Sequence, residues 1–156
     1  PSLIRVEADE ITYHAHILIR YELEKDIISN RLKTSDLPEI WDKKLEVYLG
    51  INSNKDFANG VMQDIHWTQG LFGYFPCYSI GAMYSAQFYY HIKKELSDLD
   101  TIILKGNLNE IYIWLKKRIW EKANFYQSDK LAKQACGGKS LNQKYLESYL
   151  IKKYLQ

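Results

Sequence analysis

Apolar side chains recur along this chain at three- and four-residue steps, the period of helices buried on one face. Ile4, Ala8, Ile11, Ala15 and Leu18 form the first stripe and predict one long helix running to about Asn30. A polar break follows, Arg31 to Ser35. Asp36 then offers an N-cap, with Glu39 completing a capping box and Pro38 tolerated in the first turn. Trp41, Leu45 and Leu49 continue as a buried stripe, and Gly50 ends that helix. Residues 51–73 read as a short helix and an irregular loop. The next helix runs from Pro76 to Leu96. Its stretch Ile80-Gly81-Ala82-Met83 lacks a polar face, which predicts burial on several sides. Asn107 with Glu110 starts another helix, carrying Trp114, Ile119 and Trp120. Ser128 starts one that Gly137-Gly138 ends. Ser140 and Gln143 form a capping box for the last, whose apolar positions are Tyr145, Leu146, Tyr149 and Leu150. No stretch alternates like a strand, so the fold class is all-α, a helical bundle.

Composition narrows the function classes. The chain has 156 residues, of which 46% are hydrophobic, enough for one domain with a core and too apolar for disorder. Its 21 basic and 19 acidic residues leave a net charge of +2. They are not segregated, so no nucleic-acid partner is expected, and Lys116-Lys117-Arg118 reads as a solvated helix face. No apolar run has the length of a membrane span. Cys77 and Cys136 match no paired spacing and, with no signal peptide in view, point to a reducing, cytoplasmic setting. A chain starting at Pro1 rather than Met is expected to be processed or a piece of a longer one.

The densest chemistry lies in Gly60-Val61-Met62-Gln63-Asp64-Ile65-His66-Trp67 and Gly73-Tyr74-Phe75-Pro76-Cys77-Tyr78-Ser79-Ile80-Gly81. Gly and Pro make this a turn region with polar and aromatic side chains packed around it. An imidazole beside an acid can be fixed in one tautomer, and a nearby phenol can donate to a developing oxyanion. A helix–helix corner with satisfied polar groups fits the same residues. Arg5 and Asp9, four apart, would share a helix face as an ion pair. His14 and His16 point in different directions, and His91 lies on an aromatic helix. No His-Glu-x-x-His, phosphate loop or Gly-x-Ser-x-Gly elbow occurs, so no metal site is expected within these residues.

Two segments together carry a more specific signal. Ile4-Arg5-Val6-Glu7-Ala8-Asp9 resembles the Ile-Arg-x-x-Ala-Asp signature of the carboxypeptidase Taq family, and Gly60 to Trp67 resembles its Gly-x-x-Gln-Asp-x-His-Trp signature. Their order matches, as does surrounding text: Thr12-Tyr13 through Glu24, Ser35-Asp36-Leu37-Pro38, Gly73 to Pro76 with Tyr78, and Tyr145-Leu146 to Tyr154. The resemblance covers nearly the whole chain but only the last third of the family's protein. The family's His-Glu-x-x-His, its later glutamate ligand, and its His-Pro-Phe and Asp-x-Arg-x-Thr signatures would lie upstream of Pro1.

This resemblance implies a C-terminal portion of a helical zinc peptidase that releases single residues from peptide C-termini. Zinc or another divalent metal would belong to the whole enzyme and not to this piece, which alone would be inactive. Arg5 would bind the substrate carboxylate or a nearby backbone group, held by Asp9. His66 would bind the substrate backbone, oriented by Asp64 or Gln63, with Trp67 also on the substrate side. Tyr78 would donate to the oxyanion, with Tyr74 as a second candidate. Expected partners are the peptide C-terminus, the missing N-terminal part and a second copy in a homodimer. The competing reading is a non-catalytic helical interaction module left by truncation or gene splitting. A third is a chain that rebuilds the enzyme with a separate N-terminal fragment.

Overall fold

The structure is a computed structural model that describes residues 1–122 and 124–155. Among the described residues its regular elements are all helices, with no strand. The α-helices are α1 (Tyr13–Ile28), α2 (Leu37–Leu49), α3 (Pro76–Glu95), α4 (Leu99–Leu104), α5 (Asn109–Arg118), α6 (Ser128–Ala135) and α7 (Lys144–Tyr154). The chain divides into two compact units, Pro1–Ser79 and Ile80 onward, and the dividing point falls within α3.

In the first unit, α1 and α2 pack against each other. Their core is Ile19 and Leu23 against Trp41, Leu45 and Leu49, with Val61 closing it. Ile19, Leu23 and Leu45 have no exposed surface, and burying each is worth about 1.5–3 kcal/mol. Gly50 ends α2 as expected: at φ 67° it is left-handed, and its N–H closes on the Glu46 carbonyl. Asp36 does occupy the N-cap position, but its side chain makes no capping hydrogen bond, so the expected capping box with Glu39 does not form.

The single helix predicted from Ile4 is the largest correction. Arg5–Glu7 is one 3-10 turn, Ala8 is extended, and α1 begins only at Tyr13. Asp9 breaks the run. Its Oδ1 accepts the N–H groups of Ile11 and Thr12, and its Oδ2 accepts the Thr12 hydroxyl at 2.6 Å. A short acid that captures the following amides competes with helix continuation. Ile11 and Leu18 of the supposed stripe are exposed. The buried face of α1 instead carries His16, Ile17, Ile19, Arg20, Leu23 and Glu24.

Residues 51–73 contain no helix. They are turns pinned by side chains, such as Asp42 accepting from the Ser53 amide and hydroxyl. α3 begins at Pro76 as expected, but Ile80 and Gly81 are exposed, so the apolar stretch there is not buried within this chain.

In the second unit, Ile92, Leu99, Trp114 and Ala135 form the core. Its polar ties are Glu95, which accepts from Trp114 Nε1 and Arg118 Nη2, and the buried Gln87, which holds the backbone of Lys139, Ser140 and Asn142. α4 was not foreseen. Ile119 and Trp120 lie beyond the end of α5, and Trp120 is exposed. α6 starts at Ser128 as expected, and Gly137 and Gly138 follow it with positive φ. α7 starts at Lys144 with Gln143 as its N-cap, so Ser140 does not cap it. Asn142 does local work there instead, its Oδ1 accepting the Lys144 amide.

Candidate functional site

α1, the 60–75 turn region and the start of α3 bring the candidate residues of the first unit together. Arg5 is buried and reaches Asp64, 59 positions on. Its Nε and Nη2 donate to Asp64 Oδ1 at 3.0 and 2.6 Å, and its Nη1 donates to the Tyr13 hydroxyl at 2.8 Å. The second oxygen of Asp64 accepts from Arg20 Nε at 2.6 Å. Two guanidinium groups thus share one carboxylate, and the trio keeps one net positive charge. Burial pushes the Asp64 carboxyl up, but Arg5 and Arg20 outweigh it and hold it below the usual carboxylate range. Burial is also what brings Arg20 down to about 10, against the pull of Asp64, so it stays charged at neutral pH.

Aromatic rings wall this charge. The Arg5 guanidinium lies 5.0 Å from the Tyr78 ring centre, and that of Arg20 lies 4.7 Å from Trp41. His66 is buried with its ring 4.3 Å from Phe75, and Tyr74 and Tyr78 stand beside it. His66 Nε2 and the Tyr78 hydroxyl are hydrogen-bonded at 2.9 Å. Two proton arrangements fit that bond. Only the one with Nε2–H donating to the phenol oxygen leaves the Tyr78 hydroxyl hydrogen free for another acceptor. Tyr74 is about half exposed and packs edge-on against Tyr78.

Several expected partnerships are replaced. Asp9 does not hold Arg5; it is spent on the turn before α1, where the Thr12 hydrogen bonds bring its carboxyl down to about 2. Neither candidate orients His66 through a hydrogen bond. Asp64 Oδ1 is 3.8 Å from His66 Nδ1, too far, and that buried nitrogen has no partner. Gln63 instead fastens the N-terminal segment, accepting from the Arg5 amide and donating to the carbonyls of Leu3 and Asn59. Trp67 donates its indole N–H to Glu24 and packs edge-on against Trp41.

Among the described residues, no three His, Cys, Asp or Glu side chains converge so as to hold a metal ion. No helix is long and apolar enough to cross a membrane among the described residues.

The sequence model of the family described as carboxypeptidase Taq (M32) metallopeptidase matches residues 1–154. The chain belongs to the M32 family. It is 44% identical to carboxypeptidase 1 of Bacillus subtilis over 154 residues, and 41% identical to thermostable carboxypeptidase 1 of Pyrococcus furiosus over 155. Each match covers 99% of this chain, and 30% and 31% of those proteins respectively. The solved structure of Trypanosoma cruzi metallocarboxypeptidase 1 superposes with a TM-score of 0.93 at 36% identity, over 100% of this chain and 32% of that one. The chain therefore spans about a third of the length of the M32 relatives it matches.

Sequence reasoning missed the polar ladder on α1 of this M32 chain. His16, Arg20 and Glu24 are spaced by four, so they share a face. All three are buried among Ile19 and Leu23. Polar residues at helical spacing within an apolar face were the available signal. His16 donates from Nε2 to the Ser2 carbonyl at 3.0 Å. Burial first, then the Arg20 charge, bring its imidazole down to about 4.

That shift has a sign. The unfolded chain protonates His16 near pH 6.5, while the folded chain resists until about pH 4. Its stabilising share is therefore fully present above pH 6.5 and is lost as pH falls toward 4. The loss is on the order of 3 kcal/mol. His14 and His91 are also lowered by burial and add to the same slope. Urea midpoints between pH 7 and 4.5 should fall, and His16→Gln should flatten most of that fall. A level midpoint in the parent chain would show that His16 accepts a proton in the fold.

Proposed function

We propose that this chain forms the substrate-facing wall of a metallocarboxypeptidase that releases single residues from peptide C-termini. The observation that carries this reading is the convergence of Arg5, Asp64, His66 and Tyr78, from three separate segments, on one aromatic-walled site with surplus positive charge. A peptide's terminal carboxylate and the oxyanion of its attacked carbonyl are both negative, and a dry positive site favours each. Arg5 commits three of its five N–H groups within the chain and so retains two for a carboxylate. Arginine suits that task because its planar fork matches a carboxylate's geometry. Tyr78 donates its hydroxyl hydrogen to the oxyanion while His66 Nε2–H supports the phenol oxygen. Tyr74, at the exposed rim, borders the substrate.

Zinc or another divalent metal belongs, in this reading, to the part of the enzyme outside this chain. None of the steps assigned to these residues passes through it. Leu104, Phe125 and Leu155 are each more than three quarters exposed, and Ile80 and Gly81 near the start of α3 are exposed as well. Apolar surface of this kind is suited to being covered by the rest of such a protein.

The test is reconstitution. This chain joined to an M32 N-terminal part carrying the metal ligands should release C-terminal residues in a chelator-sensitive way, and the chain alone should not. Chelator-sensitive release by the chain alone would overturn the division of labour. A folded, metal-loaded whole protein that releases nothing would favour the interaction-module reading.

A further inference from the structure

Glu24 is buried at 2% exposure, lies on α1 outside both signature stretches, and has no part in the chemistry assigned above. Its two oxygens are used separately. Oε1 accepts the Trp67 indole N–H at 2.8 Å, and Oε2 accepts the Gly73 backbone N–H at 3.0 Å. Trp67 directly follows His66, and Gly73 directly precedes Tyr74. Between them the chain makes an excursion whose residues Thr68 to Phe72 are all exposed. Its own backbone closes the first part of it, through Gln69 N–H to the Ile65 and His66 carbonyls, Gly70 N–H to the Trp67 carbonyl and Leu71 N–H to the His66 carbonyl, and leaves the Gly73 end to Glu24. Gly73 sits at φ 80°, a left-handed conformation that aims its amide at Glu24 and that a side chain would strain.

We infer that Glu24 is a positioning residue: one carboxylate staples both ends of the 67–73 excursion to α1 and thereby sets the His66–Tyr78 hydrogen bond. The inference rests on the proposed role of that pair. The excursion joins the segment carrying His66 to the helix carrying Tyr78. With its base open, exposed turns would leave the two segments free to move relative to each other. A site of this kind loses catalysis for misplacements of about 1 Å. α1 is the rigid reference. Four residues before Glu24, Arg20 holds Asp64, so one helix face fixes both the charged and the aromatic sides of the site.

Glu24→Gln keeps the shape but puts an amide N–H₂ against one of two N–H donors, so one arm of the staple must open. In the whole metal-loaded enzyme, Glu24→Gln should lower kcat about 10-fold with KM changed less than about 3-fold. Hydrogen exchange should rise at 67–75 specifically. The decisive reading is the double variant with Tyr78→Phe. If Glu24 acts through the His66–Tyr78 bond, the double variant has a kcat within about 3-fold of Tyr78→Phe alone. A merely structural Glu24 would multiply the two losses, and that result overturns the inference. Wild-type kcat in Glu24→Gln overturns it as well. Wild-type kcat in Tyr78→Phe instead removes the proposed role of the pair, and the inference with it. Should Glu24→Gln not fold, Trp67→Phe opens one arm while leaving the acid intact. It should lower kcat and show the same non-additivity with Tyr78→Phe, and full activity in it would overturn the staple.

Discussion

Tyr78→Phe in the whole enzyme should lower kcat on the order of 100-fold and leave KM nearly unchanged. The substitution removes one hydroxyl and keeps the ring, so the packing of Tyr78 against Tyr13, Tyr74 and His66 survives. In the proposed role, what disappears is a donor whose partner has appreciable negative charge only in the transition state, and such a donor shows in kcat rather than KM. His66→Ala should follow the same pattern, since the Tyr78 hydroxyl would lose its support at 2.9 Å. Arg5→Ala should instead raise KM if Arg5 has its proposed role, because a carboxylate clamp binds substrate and transition state alike. Tyr74→Phe is the internal comparison, because the Tyr74 ring packs against both members of the pair. Steady-state kinetics of the four variants on one peptide separates the roles. If Tyr78→Phe keeps wild-type kcat and Tyr74→Phe does not, the oxyanion role passes to Tyr74.

What the sequence made legible was what local rules govern. The end of α2 at Gly50, the start of α3 at Pro76 and the start of α6 at Ser128 follow from backbone preferences that act within a turn. The two signature stretches hold Arg5, Asp64 and His66, which the structure gathers with Tyr78 at the candidate site. What the sequence concealed was partnership. Arg5 lies four residues from one acid and 59 from another, and spacing favours the near one. The structure couples it to Asp64 because Asp9 has already been drawn into the local amides before α1. The same competition explains the false long helix: a three-and-four-residue stripe can run through a 3-10 turn and a cap unchanged. The polar ladder His16, Arg20, Glu24 was hidden for the opposite reason. An apolar periodicity skips polar residues, yet here they occupy the buried face because each has a partner elsewhere in the chain. α4 escaped notice because six residues are too few to establish a period.

The charge pairing inferred from the structure makes its strongest stability prediction at Asp64. Asp64→Ala should destabilise the chain by about 3–5 kcal/mol, the range for removing one partner from a buried ion pair. Asp64 is the acid hydrogen-bonded to both Arg5 and Arg20, and these side chains are 7% and 1% exposed. Without it, two guanidinium groups face each other in a site walled by rings. Arg20 is the worse placed, because its Nη2 is already buried without a partner. Asp64→Asn should recover little, since an amide keeps one acceptor oxygen but no charge, and its N–H₂ would face a donor. The matched comparison is Asp9→Ala. Asp9 is half exposed and caps a turn, so its loss should cost only about 1 kcal/mol. Urea unfolding followed by tryptophan fluorescence measures both, since Trp41 and Trp67 lie in or against the affected core. A larger loss in Asp9→Ala than in Asp64→Ala would return Arg5 to the partner that sequence spacing favours and dissolve the shared-carboxylate arrangement on which the site's surplus positive charge depends.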